Sequence, residues 1–178
     1  AASDVYKRQE NGIEVLQKLL ALNANIPVVM ISGNHDIPVI HGKAASIDIF
    51  RRLRPGLFHV FVNRPTVGDM APPIIKTKNG TIAVCCLPYI SPSFLRNIPQ
   101  YQNLKGDELK DAYYQFFDDV ITNMVHRIPD EIPRVLMAHL TIHGALAGGY
   151  RGSSLMTDEV QLLAADIAAA GYDYIALG

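Results

Sequence analysis

The sequence predicts a layered α/β domain with a mixed sheet. Three observations predict it. Short apolar runs of strand length, at 28–31, 81–87 and 135–138, alternate with segments whose apolar residues recur at helical spacing. Each run is apolar at nearly every position, which suits strands covered on both faces. Asn79-Gly80 lies between two such segments and signals a hairpin, so antiparallel pairing joins the parallel kind.

The elements follow in order. Residues 10–23 carry Ile13, Leu16, Leu19 and Leu20 at helical spacing. Pro27 opens the strand Val28-Val29-Met30-Ile31, which runs into Ser32-Gly33-Asn34-His35-Asp36. A second helix is expected over 43–53, with Ala45, Ile47, Ile49 and Phe50 inward, and then a strand over 57–62. Pro72-Pro73 precedes Ile74-Ile75 and the hairpin. Residues 91–106, rich in Pro, Ser, Asn and Gly, are expected to form a long surface loop. The clearest helix covers 107–127. Leu109, Ala112, Tyr113, Phe116, Phe117, Val120, Ile121, Met124 and Val125 form one stripe, and Asp107 is placed to cap it. An aromatic stripe of that spacing is core packing. Pro133 introduces the strand at 135–138, 144–154 is a glycine-rich loop, Thr157 caps a helix to about 170, and 174–177 is a final strand.

With 178 residues the chain is the size of one domain, and at 49% hydrophobic and 19% charged it can bury a core. A disordered tail, a fibre and a disulfide-stapled miniprotein are excluded. No apolar run is long enough to span a bilayer. The net charge of −1 has no polybasic block behind it, so charge argues neither for nor against nucleic acid. Cys85 and Cys86 are adjacent, point to opposite faces of a strand, and suit neither an ordinary disulfide nor a shared metal.

Chemistry concentrates at two strand ends. In Gly33-Asn34-His35-Asp36, the glycine permits a tight turn and Asn34 offers an amide oxygen to a divalent cation. His35 can hydrogen-bond or protonate a phosphate oxygen, and Asp36 can hold His35 in its charged form. A plain polar turn, with Asp36 as a cap, would use the same letters; the position directly after a buried strand favours function. His139 ends the strand at 135–138 and points to the crevice where α/β sheets place ligands. Imidazole there is a metal ligand or a structural hydrogen-bond partner. Weaker candidates are His41, His143, Tyr89 and Arg151, each with a structural alternative: loop residues for His41, His143 and Arg151, and a buried phenol for Tyr89. His126 suits a helix C-terminus, and His59 sits in strand alternation. Ser153 and Ser154 lack a base partner, and no phosphate-cradling G-x-x-x-x-G-K-[ST] loop is present.

Strand, Gly33-Asn34-His35-Asp36, and a later strand ending Met137-Ala138-His139-Leu140 together resemble the calcineurin-like metallophosphoesterases. Within that superfamily, Ser32 to Asp36, Leu87-Pro88-Tyr89-Ile90 and Ala138-His139-Leu140-Thr141 are similar to the SbcD-type nuclease subunit of bacterial double-strand-break repair. Tyr174 to Gly178 is similar to the run into the family's Gly-His-x-His motif. The resemblance implies an α-β-β-α sandwich and a phosphodiesterase with two divalent metal ions, usually Mn2+. It implies Asn34 and His139 as metal ligands, with His35 and Asp36 catalytic. It further implies DNA as substrate, an SMC-like coiled-coil ATPase as partner, a possible homodimer, and a cytoplasmic, nucleoid-associated location in a bacterium.

The family's Asp-x-His and Gly-Asp motifs do not precede Gly33, and Gly-His-x-His would only begin at Gly178. The fold is therefore expected to be incomplete, a piece of a longer protein, with reduced or no metal binding and no turnover alone. Residues 4–9 resemble the translation of a sequencing adapter, so 1–9 are expected to be a non-native leader and 10–178 the partial phosphoesterase domain. The alternatives are another phosphoesterase of the superfamily, acting on a nucleotide, cyclic nucleotide or phosphoprotein, or an inactive scaffold domain.

Overall fold

The computed structural model describes residues 12–33, 36, 45–62, 72–90, 92–140, 142–143 and 162–178. Helix α1 (Gly12–Leu22) leads to strand β1 (Val28–Ile31), helix α2 (Asp48–Leu53) and strand β2 (Phe58–Phe61). Strands β3 (Ile74–Thr77) and β4 (Gly80–Leu87) follow, then helices α3 (Pro92–Leu95) and α4 (Gly106–Val125). Strand β5 (Arg134–Ala138), the short β6 (Ile142–His143) and β7 (Leu162–Leu163), helix α5 (Ala164–Ala169) and strand β8 (Tyr174–Leu177) complete the order.

The strands form a parallel pair β1-β2 and a mixed four-stranded sheet ordered β3-β4-β5-β8, with β6-β7 as a small parallel bridge. In the larger sheet only β3-β4 is antiparallel. Side-chain alternation along each strand builds four layers. Val28 and Met30 of β1, with Phe58 and Val60 of β2, pack on Leu16 and Leu20 of α1 and Phe50 of α2. The intervening Val29, Ile31 and Phe61 turn the other way and meet Ile75, Val84, Cys86, Val135 and Met137 of the second sheet. That sheet's far face, through Ala83, Cys85, Leu87, Leu136 and Ala138, packs on Phe116, Phe117, Val120 and Met124 of α4 and on Ile167 of α5. The order is α-β-β-α, the sandwich expected from the sequence. Cys85 and Cys86 fall in different layers, so they do not converge on one metal.

Several elements differ from expectation. Of the helix expected over 43–53, the described residues from 45 on are helical only in α2, and Ile49 faces solvent, because so short a helix turns just one side, with Phe50, to the sheet. Residues 91–106 are not a bare surface loop. Leu95 is fully buried, and Phe94, Ile98, Tyr101 and Leu104 pack on the core through successive turns, which the Pro and Asn content conceals. Helix α4 starts at Gly106, and the cap position is Lys105, with no side-chain bond; Asp107 lies in the first turn, where a carboxylate favours the dipole. Leu162-Leu163, expected inside a helix capped by Thr157, is strand β7, because pairing with β6 and burial of Leu162 override helical propensity. Thr157 and the 144–154 loop lie outside the described residues. In the hairpin the two linking residues are Lys78 and Asn79, and the left-handed backbone falls on Gly80, at φ 136°. No helix among the described residues is long and apolar enough to cross a membrane.

Candidate functional site

The C-terminal ends of β1, β4 and β5 are drawn together by main-chain bonds. The Ser32 N–H donates to the Phe61 carbonyl at 3.0 Å, and the Ser32 carbonyl accepts from the Tyr89 N–H at 3.0 Å. The latter bond ties the tip of the first sheet to the tip of the second. The His139 N–H donates to the Leu87 carbonyl at 3.0 Å, which carries the imidazole to the same place. Parallel strands end together, so their last residues converge, and the space beyond such ends is where α/β sheets hold ligands.

Gly33 lies directly against His139. A methyl group placed on Gly33 would stand 3.0 Å from His139 Cε1 and 3.2 Å from Nδ1, closer than ordinary contact. Glycine here lets the backbone and the imidazole approach closely. The turn freedom expected from the sequence is not used, because Gly33 is not among the glycines with positive φ. Asp36 closes the turn from the other side. Its Oδ2 accepts the Gly33 N–H at 2.8 Å, and its Oδ1 accepts the Ser46 hydroxyl at 3.4 Å. The Asp36 N–H returns a bond to the Gly33 carbonyl at 3.3 Å. The Tyr89 and His139 rings stand nearly perpendicular, with centroids 5.8 Å apart and planes at 82°. This aromatic contact restrains the imidazole.

Of the residues singled out in the sequence, the structure brings Gly33, Asp36, Tyr89 and His139 together. Asn34, His35, His41 and Arg151 lie outside the described residues. His143 is found in β6, where its main chain is in register with Leu163, and not in a loop. His59 is half-buried in β2, and His126 is exposed just after α4. Sequence reasoning gave Ser32 no role of its own. The signal was available: a polar residue directly continuing a four-residue apolar strand must be buried with it or turn out of it. Ser32 is fully buried.

Do these residues suit a divalent cation? Among the described residues no three His, Cys, Asp or Glu side chains converge as a ligand group. The missing side chain of Gly33 leaves the space that the His139 imidazole occupies at the joined strand tips. The Ser32 hydroxyl is buried with no partner. His139 supplies an imidazole, a donor type that divalent transition metals take.

The cysteines stand apart from this chemistry. Burial pushes the Cys85 thiol up to about 11, although a hydrogen bond with Tyr172 and the Arg134 charge oppose it. Burial pushes Cys86 up to about 12. Burial also raises the Tyr172 phenol, whose hydroxyl donates to the Ile121 carbonyl at 2.8 Å. Both thiols are thus protonated and inert at neutral pH. In the native protein at pH 8, iodoacetamide is expected to leave both unmodified, and denaturant should expose both, as read by mass. The sign of the pH effect follows. The folded state holds these protons above the usual thiol value of 9.0, so the stabilisation is complete below pH 9 and falls as pH climbs toward 11 and 12. A Cys85→Ala/Cys86→Ala double variant should lose less stability between pH 9 and 11 than the wild type.

No curated protein matches the chain. A family model, the calcineurin-like phosphoesterases, matches residues 3–178. That span holds the four-layer sandwich, the joined strand tips and the turn packed on His139, and with it the chain belongs to the calcineurin-like phosphoesterase family.

Proposed function

We propose that the chain is the catalytic core of a metal-dependent DNA nuclease of the SbcD type, cutting phosphodiester bonds in double-strand-break repair. Family membership supports the coarser statement, a metal-dependent phosphoester hydrolase. The finer one is supported by the likeness of Ser32 to Asp36, Leu87 to Ile90 and Ala138 to Thr141 to that nuclease subunit. The observation that carries the hydrolase reading is the contact distance between Gly33 and the His139 imidazole, which sets two strand tips at one site.

In this reading Asn34 and His139 hold a divalent ion, Mn2+, within a two-ion site. The ions supply Lewis acidity and a nucleophile at neutral pH. The chain's own groups do the rest. Gly33 lets the imidazole lie on the backbone, and the perpendicular Tyr89 ring packs against it. Asp36 keeps the turn closed by accepting the Gly33 N–H, and has lone pairs left to orient His35. His35 donates a proton to the departing oxygen. The partners are DNA and an SMC-like coiled-coil ATPase, with a second copy of the chain, in the bacterial cytoplasm. Near-neutral charge means that most phosphate contacts come from other parts of the assembly.

The test is an assay of the full-length protein on linear duplex DNA, with Mn2+ and with chelator, beside Asn34→Ala. Mn2+-dependent release of nucleotides by the wild type, and its loss in the variant, is the expected result. Equal rates in the two proteins would sink the assignment. Hydrolysis of mononucleotides or a phosphopeptide, with DNA left intact, would keep the hydrolase and reject the nuclease.

A further inference from the structure

Leu87, Pro88 and Tyr89 form one short piece of chain that touches both halves of the strand-tip site. The Leu87 carbonyl accepts the His139 N–H at 3.0 Å, and two residues on the Tyr89 N–H donates to the Ser32 carbonyl at 3.0 Å. The first bond holds the tip of β5, and the second holds the residue that leads into Gly33. The piece is stiff. Pro88 is fully buried, and its ring fixes its φ. Ile90 is buried as well, and its carbonyl accepts the Tyr113 hydroxyl of α4 at 2.6 Å. All of these are main-chain anchors, which any residue but proline at position 89 would keep. The Tyr89 side chain adds what the main chain does not supply. Its ring stands at 82° to the His139 ring, with centroids 5.8 Å apart, a directional contact on the imidazole itself.

We propose that Tyr89 is a positioning residue for His139. Its N–H fixes the β1 tip and its ring holds the imidazole, so one residue sets the two halves of the site against each other before an ion arrives. The inference rests on the metal-site reading above. A ligand already held in place has less freedom to lose on binding, so its affinity is higher. Removing the ring leaves the main-chain anchors intact and loosens the imidazole. The loss therefore falls on metal affinity. A tyrosine that only fills space would show the reverse pattern, a lower stability without metal and an unchanged affinity for it.

The test uses the full-length protein as wild type, Tyr89→Phe and Tyr89→Leu. Leucine keeps apolar bulk without a ring, and Tyr89→Met takes its place if that variant does not fold. Mn2+ binding is measured by calorimetry. Folding is checked by thermal melting in chelator, and the His139 imidazole is observed by NMR in the same chelated samples. Tyr89→Leu is expected to bind Mn2+ about tenfold more weakly, the low end of the cost of losing a group that orients a metal ligand. Its His139 ring-proton resonances should move from their wild-type positions. Tyr89→Phe, which keeps the ring, is expected to retain most of the affinity and the wild-type His139 resonances. An unchanged Mn2+ affinity in Tyr89→Leu would overturn the inference and leave the metal site standing. An equal loss in Tyr89→Phe would overturn it by assigning the effect to the hydroxyl. His139 resonances unmoved in Tyr89→Leu would show that the ring does not hold the imidazole. Failure of the wild type to bind Mn2+ would remove the metal reading and this inference with it.

Discussion

Gly33→Ala is expected to destabilise the protein by about 1–3 kcal/mol, the usual range for overpacking a filled position. The same change in a His139→Ala background should cost well under half as much. The added methyl would meet His139 Cε1 at 3.0 Å and Nδ1 at 3.2 Å, and Asp36 Oδ2 only at the ordinary distance of 3.4 Å. Backbone strain does not contribute, because Gly33 has no positive φ. Removing the imidazole therefore removes most of the clash. Urea unfolding of the four proteins of this cycle measures the coupling, which should be large and of compensating sign. Additive costs would mean that Gly33 and His139 do not touch, and the two-tip site would be gone. Hydrolysis gives a second readout. In a hydrolysis assay Gly33→Ala should slow turnover, since the imidazole must shift by a few tenths of an ångström from its place. His139→Ala should slow it at least as much.

The sequence displayed the strand tips because both are written locally. Val28 to Ile31 and Val135 to Ala138 are short apolar runs closed by polar residues, a length and pattern that suit strands packed on both faces. The long α4 stripe was equally plain, for its periodicity persists over five turns. What the sequence concealed depends on distant partners. Leu162-Leu163 is compatible with a helix until Ile142-His143 arrives to pair with it. The buried residues of 91–106 are masked by the turn-forming residues between them. Gly33 was marked as special, but for the wrong physical reason: only the fold shows that an imidazole from β5 occupies the space of its missing side chain. The unpartnered state of Ser32 is likewise a property of three strands together and of no window of sequence.

Phe117→Ala is expected to cost about 3–5 kcal/mol, enough to lower the melting temperature by roughly 10 °C in a chain of this length. Phe117 is 1% exposed and lies in a run of rings, 4.6 Å from Tyr113 and 6.0 Å from Phe116, with Phe94 beyond at 6.1 Å from Phe116. The adjoining Tyr113 hydroxyl donates to the Ile90 carbonyl at 2.6 Å, so the stripe also anchors the chain that leaves Tyr89. Truncation leaves a cavity that neighbours on a helix and a sheet can only partly fill. Denaturant midpoints with an unchanged slope would record the loss. The thiols give it a location. Cys85 shares the α4 layer with Phe117, whereas Cys86 faces the other sheet. A cavity at Phe117 should therefore speed alkylation of Cys85 much more than that of Cys86, by opening the layer locally without unfolding the whole. Equal acceleration of both thiols would mean that the sandwich opens only as one unit. A loss below about 1 kcal/mol would mean that α4 does not cover the sheet that carries His139.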